Sequence, residues 1–146
     1  MQADRFADKY GLTFHHLGLA VRNADAAEAF LSNLGYRVGP TLYDPIQNVH
    51  VSLCEHADMP SIEIICPGPG TSPIDRYLQK YKDGLVYHIC FAARDLTASI
   101  LELKADPQIK AIFWAEPQEA ILFGGRKIAF GIINGVGLIE LLAEHA

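Results

Sequence analysis

Residues 14–21 (FHHLGLAV) and 85–92 (LVYHICFA) are both apolar runs rich in branched and aromatic side chains, each carries a histidine, and each leads into a helix-forming stretch. The segments downstream of the two runs match as well. After the first run, Asn23 is a suitable N-cap for a helix bearing Ala26, Ala27, Ala29, Phe30, Leu31 and Leu34, which Gly35 closes. Three extended segments come next, Tyr36–Tyr43, Val49–Cys54 and Ser61–Cys66, separated by Asp44-Pro45, by Asp58 to Pro60 and by the PGPG of 67–70. After the second run come a helix over Asp95–Ala105 and segments at Ala111–Trp114, Lys127–Ile133 and Leu138–Leu142. Between the two copies, Pro73 suits a first helical turn leading into Asp75–Tyr81, up to Gly84.

The spacing supports a repeat. His16 and His88 are 72 residues apart and Glu63 and Glu140 are 77 apart, a drift that one loop accounts for. The predicted fold class is α+β: two tandem βαβββ modules, about 14–67 and about 85–143, forming a curved, partly open eight-stranded sheet with a metal-binding cleft. Modules of about 65 residues are marginal alone, so a single domain over 1–146 is expected.

Half of the 146 residues are apolar, and 12 basic against 17 acidic residues leave a net charge of −5 with no basic cluster. That balance argues against nucleic acid as a partner. No run reaches the roughly 18–20 apolar residues that span a bilayer, so no membrane partner is expected. The N-terminal MQADRFADKYG is too charged for a signal-peptide core, and a cytoplasmic location is expected. Cys54, Cys66 and Cys90 are odd in number, lie in apolar runs and form no CxxC pair; they read as reduced core thiols.

Histidine and glutamate inside apolar strands are costly unless something compensates their lost hydration. Four such residues, His16, Glu63, His88 and Glu140, occupy the first and last strands of each repeat. Two modules related by a pseudo-twofold would gather two imidazoles and two carboxylates about one point, a donor set for Co, Zn, Ni, Mn or Fe that leaves positions open on an octahedral ion. The alternative is that each is satisfied separately, the histidines by backbone groups and the glutamates by Arg126 or Lys127. His15 is the spare ligand if the register slips by one.

These segments resemble the vicinal oxygen chelate superfamily, which holds glyoxalase I, bleomycin-resistance proteins and methylmalonyl-CoA epimerase, and they are most like its epimerase branch. The resemblance rests on HHLGLAVRNADAAEAFL with LGYRV, on SIEIICP and SPIDRYLQK, and on GLVYHICFAARDL, GGRKIAF and GLIELL, together covering about 14 to 142. It implies that His16, Glu63, His88 and Glu140 ligate a divalent metal, Glu63 standing where epimerases often have glutamine. It also implies that the metal polarises a substrate carbonyl and stabilises the enolate formed beside it.

One departure matters. The epimerase pattern has a glutamate base before the third strand, in a segment like PEQGV, where this chain reads Pro45-Ile46-Gln47-Asn48-Val49. Epimerisation needs a proton acceptor on one face of the carbon and a donor on the other. Glu140 and His50 are the catalytic candidates in its absence, with Asp44 and Tyr43 as substitutes for His50. GGRKIAF offers either an anion contact or a glycine turn with surface charges, and Phe113 and Trp114 read as core or interface aromatics.

The expected function is therefore a metal-dependent isomerase or epimerase using enolate chemistry on a small acyl-CoA or carbonyl substrate. A glyoxalase I-type lactoylglutathione lyase and a non-catalytic metabolite-binding or resistance protein are the alternatives. The expected partners are the small-molecule substrate and a second copy of the chain, as a homodimer.

Overall fold

A computed structural model describes residues 4–6 and 8–146; the N-terminal MQADRFADKYG lies partly outside them. The described residues contain ten strands and three α-helices. In chain order these are β1 (Leu12–Ala20), α1 (Ala24–Asn33), β2 (Arg37–Val38), β3 (Leu42–Asp44), β4 (Val49–Glu55), β5 (Ser61–Pro67) and α2 (Asp75–Lys80), then β6 (Leu85–Ala93), α3 (Leu96–Ala105), β7 (Ala111–Phe113), β8 (Gln118–Glu119), β9 (Lys127–Ile133) and β10 (Gly137–Ala143).

The α+β class and the doubled βαβββ order hold, with ten strands in place of eight. The predicted strand over Tyr36–Tyr43 is two short ones, β2 and β3, each paired antiparallel with β4. Gly39 and Pro40 explain the break. The Gly39 amide bonds the Leu53 carbonyl at 2.9 Å, so close that a Cβ would stand 2.6 Å from that oxygen, and Pro40 has no amide to continue the ladder. The other addition, β8, is a two-residue pairing with β9.

The chain divides into two compact units, one of residues 16–87 and one of residues 88–146 with the described residues up to His15. In the first unit the strand order is β2-β4-β5-β1, with β1 and β5 parallel. Asn23 caps α1 as predicted, its side-chain oxygen accepting the Asp25 amide at 2.9 Å. Leu31 of that helix enters a core with Val21, Tyr36, Cys54 and Ile64, and Leu19, Ile62 and Cys66 pack around it. Phe30 and Leu34 lie outside it, 64% and 44% exposed.

The second unit repeats the plan as β6-β10-β9-β7, with β6 and β10 parallel. Asp95 caps α3 through the Ala98 amide. Leu96 and Leu103 of α3 pack with Ala129, Ile139 and Leu141. In both units the helix covers one face of the strands, and residues of opposite parity therefore face away from it.

Candidate metal centre

Register decides where the four polar residues point. In the first unit Gly18 lies beside Glu63 and His16 beside Ser61, so His16 and Glu63 share a face as a diagonal pair. Their neighbours Ile62 and Ile64 belong to the core under α1, which puts the pair on the face turned from that helix. His16 Nε2 is 3.5 Å from Glu63 Oε1.

The second unit reproduces this register for its own histidine and glutamate. Cys90 lies beside Glu140, His88 is two positions earlier, and His88 Nε2 is 3.6 Å from Glu140 Oε1. Ile139 and Leu141 take the helix side. The ring of Phe130, opposite Glu140 on β9, meets the His88 imidazole edge-on at 5.6 Å and limits its rotation. None of the four residues is more than 5% exposed.

Each pair suits a metal in donor type and spacing. Two donors about 2.1 Å from one ion, at tetrahedral or octahedral angles, lie roughly 3.0–3.4 Å apart, close to the two separations found. Buried imidazole and carboxylate are also the borderline-to-hard donors that first-row divalent ions take.

Other candidates fall elsewhere. His15 is next to His16 on β1; its ring meets that of Phe123 edge-on at 5.4 Å, and one of its ring nitrogens lies within 4.8 Å of Cys90 Sγ. The catalytic assignment of His50 is corrected by the register. His50 lies opposite Cys66, while Leu53 lies opposite Glu63, so His50 is on the α1 side, its ring 5.0 Å from that of Tyr43.

Asp44 does share the face of Val49 and Leu53, but its carboxylate is engaged. It accepts the amides of Ile46 and Gln47 at 2.9 and 3.1 Å and the Gln47 side chain at 2.9 Å, building the turn on which Ile46 sits 55% exposed. The Tyr43 hydroxyl donates to Asn48 Oδ1 at 2.8 Å.

Arg126 donates to the Ala143 carbonyl at 2.6 Å and lies 3.9 Å from Glu144, and Lys127 is exposed. The glycines of GGRKIAF, Gly124 and Gly125, take positive φ in a turn after Phe123. Cys54, Cys66 and Cys90 form no disulfide, and burial raises the thiol pKa of Cys54 and Cys66, which keeps them protonated. Sequence reading missed the Phe130 contact, although Phe130 and Ile132 are spaced for one face of a strand.

The paired modules and their matching His–Glu diagonals define a class. Residues 15–130 match the Glyoxalase/Bleomycin resistance protein/Dioxygenase superfamily, and the chain belongs to that family. Over 91 residues, 62% of the chain, it is 32% identical to the mitochondrial methylmalonyl-CoA epimerase of Homo sapiens, and it spans about half (51%) of that relative's length. Over the same length it is 32% identical to the ethylmalonyl-CoA/methylmalonyl-CoA epimerase of Cereibacter sphaeroides, covering 67% of it.

Among solved structures, the methylmalonyl-CoA epimerase from Mycobacterium tuberculosis shares the fold, with a TM-score of 0.77 at 21% identity over 100% of this chain and 94% of that one. The Streptomyces coelicolor methylmalonyl-CoA epimerase in complex with 2-nitronate-propionyl-CoA gives 0.73 at 24% identity, over 91% and 97%.

Proposed function

We propose that this chain is a metal-dependent isomerase or epimerase acting at the carbon beside a carbonyl of a small acyl-CoA or related substrate, with His16, Glu63, His88 and Glu140 holding one divalent cation. The observation that carries this reading is the buried His–Glu diagonal, present twice at the same register. The relatedness to methylmalonyl-CoA epimerases supports the substrate class. A Co, Zn, Ni, Mn or Fe ion bound there supplies a Lewis acid for negative charge on a substrate carbonyl oxygen.

The chain's own residues divide the remaining work. The two imidazoles act as neutral donors held in buried strands, with Phe130 bracing His88. Glu140 is the acid–base group: a carboxylate on the ligand face that takes the proton from the substrate carbon and returns it. Apolar neighbours limit water at that point, which strengthens each charge interaction.

A specific observation bears on stereochemistry. With Ile46 where a second base is expected and Asp44 committed to its turn, one carboxylate serves one face of the carbon. This favours proton exchange without inversion, or a shift of the proton between adjacent carbons. The second of these is the chemistry of a glyoxalase I-type lactoylglutathione lyase, which is therefore the second reading.

The test incubates metal-loaded protein with methylmalonyl-CoA in deuterium oxide, beside the hemithioacetal of methylglyoxal and glutathione. Deuterium entering the α-carbon faster than the centre inverts is the expected result, and Ile46→Glu should speed inversion. Turnover of the hemithioacetal alone would move the assignment to the lyase. A metal-free protein that turns over neither, and whose folding and ligand binding ignore chelators, would favour the metabolite-binding or resistance protein. No helix among the described residues is long and apolar enough to cross a membrane. A cytoplasmic homodimer is part of the proposal, its assembly supported by Phe30 and Leu101 exposed on the helix side; sedimentation would check it.

A further inference from the structure

We infer that Phe130, Leu138, Ile132 and Ile112 form a subsite for an apolar acyl chain longer than that of methylmalonyl-CoA. The inference deepens the proposed function and rests on its metal centre. The register that pairs Ile139 with Ile89 sets Leu138 beside His88. Leu138 is opposite Ile132, and Ile132 is opposite Ile112 on β7. A single cross-strand row thus runs from a ligand histidine through three aliphatic side chains to the strand at the end of the order. Phe130, opposite Glu140, flanks it.

All of these share the face turned from α3, since α3 packs on Ile139, Leu141 and Ala129. From β10 to β7 the row covers two strand spacings, about 10 Å. Exposure rises along it, from 2% at His88 to 47% at Ile132 and 65% at Ile112. Isolated exposed aliphatics need no explanation, but a row that begins at a buried ligand does.

The matching row of the first unit sharpens the point. Starting from His16 it passes Ser61 and ends in Glu55 and Arg37, which are paired across β4 and β2 and form an ion pair at 3.1 Å. The same place in the fold therefore carries solvated charge in one unit and aliphatic surface in the other. An acyl group whose carbonyl sits at His88 and Glu140 finds apolar surface only along the second.

The test measures binding of propionyl-CoA and octanoyl-CoA to the full chain by calorimetry, with bound metal counted on the same samples. Each buried methylene is worth about fourfold in affinity, so octanoyl-CoA should bind at least about tenfold tighter. Ile132→Ser and Ile112→Ser, at exposed positions where stability changes little, should cut that advantage to about twofold or less. Both should leave metal content and propionyl-CoA affinity unchanged, and Ile132→Val should retain the advantage. Metal bound with no chain-length effect, or an effect that the serine variants preserve, overturns the subsite alone. Absence of metal from the wild-type chain overturns the proposed function instead. Serine variants that turn a dimer into monomers, with no chain-length effect in the wild type, would assign the strip to a second copy and overturn the proposal.

Discussion

Set side by side, the two units agree at the proposed ligands and diverge one strand later. Both place a histidine two positions before the residue that lies beside the glutamate, on the face turned from the helix. Beyond that, one has Ser61, Glu55 and Arg37 where the other has Leu138, Ile132 and Ile112. The beside-glutamate position differs too, Gly18 in one and Cys90 in the other. Duplication explains the agreement, since a shared register preserves the geometry of a donor pair.

The largest expected effect tests whether the two carboxylates are interchangeable. Glu140→Gln should abolish proton exchange, by at least the 10²–10⁴ that general acid–base catalysis contributes. Glu63→Gln should keep metal and lose about tenfold or less, because an amide oxygen still ligates. Proton exchange and metal content measured on both variants decide this, and equal losses would erase the proposed difference in role.

A smaller effect concerns how each unit secures its loops. The second unit holds residues 9 and 10 through Asp106, whose Oδ2 accepts Lys9 Nζ and the Tyr10 hydroxyl, both at 2.6 Å, while Oδ1 accepts the Gln108 amide at 2.9 Å. Those bonds, led by Lys9, lower its pKa from 3.8 to about 2. The first unit instead uses Asn48. Its amide nitrogen donates to the Pro69 and Thr71 carbonyls, and its own carbonyl accepts the Gly68 amide at 2.9 Å. A Cβ on Gly68 would stand 2.2 Å from Asn48 Oδ1.

A depressed carboxyl pKa stabilises the folded form fully above its unfolded value, and that contribution disappears as pH falls through the folded one. Between about pH 4 and pH 2 the Gln108 amide should therefore lose protection from hydrogen exchange by a few-fold, while the Gly68 amide, bonded to a group that does not titrate there, holds its own. Asp106→Asn should produce the Gln108 change already at pH 7. Loss of protection at both amides together would mean that acid acts globally.

Periodicity and punctuation carried most of the fold. The cap at Asn23, the repeat, and all the long strands come from alternation and local hydrogen-bonding rules, which need only near neighbours. The break at Gly39-Pro40 was hidden because it depends on an approach to the Leu53 carbonyl, a contact set by the partner strand. The His50 assignment failed for a related reason: which face of the sheet it takes depends on the register of β4 with β5, where Leu53 and not His50 shares the face of Glu63. The two His–Glu diagonals were foreseeable because a buried charge is conspicuous in an apolar run. The aliphatic row was not, since Ile132 and Ile112 look like ordinary core until register and exposure are known.

The central claim, that two equivalent half-sites serve one ion, is tested most directly by counting bound metal. Equilibrium dialysis of the purified chain against Co or Zn should give one ion per chain, and each of His16→Ala, Glu63→Ala, His88→Ala and Glu140→Ala should bring it near zero. Two ions per chain, or half the metal surviving when only one pair is removed, would show that each pair binds alone and would contradict the account.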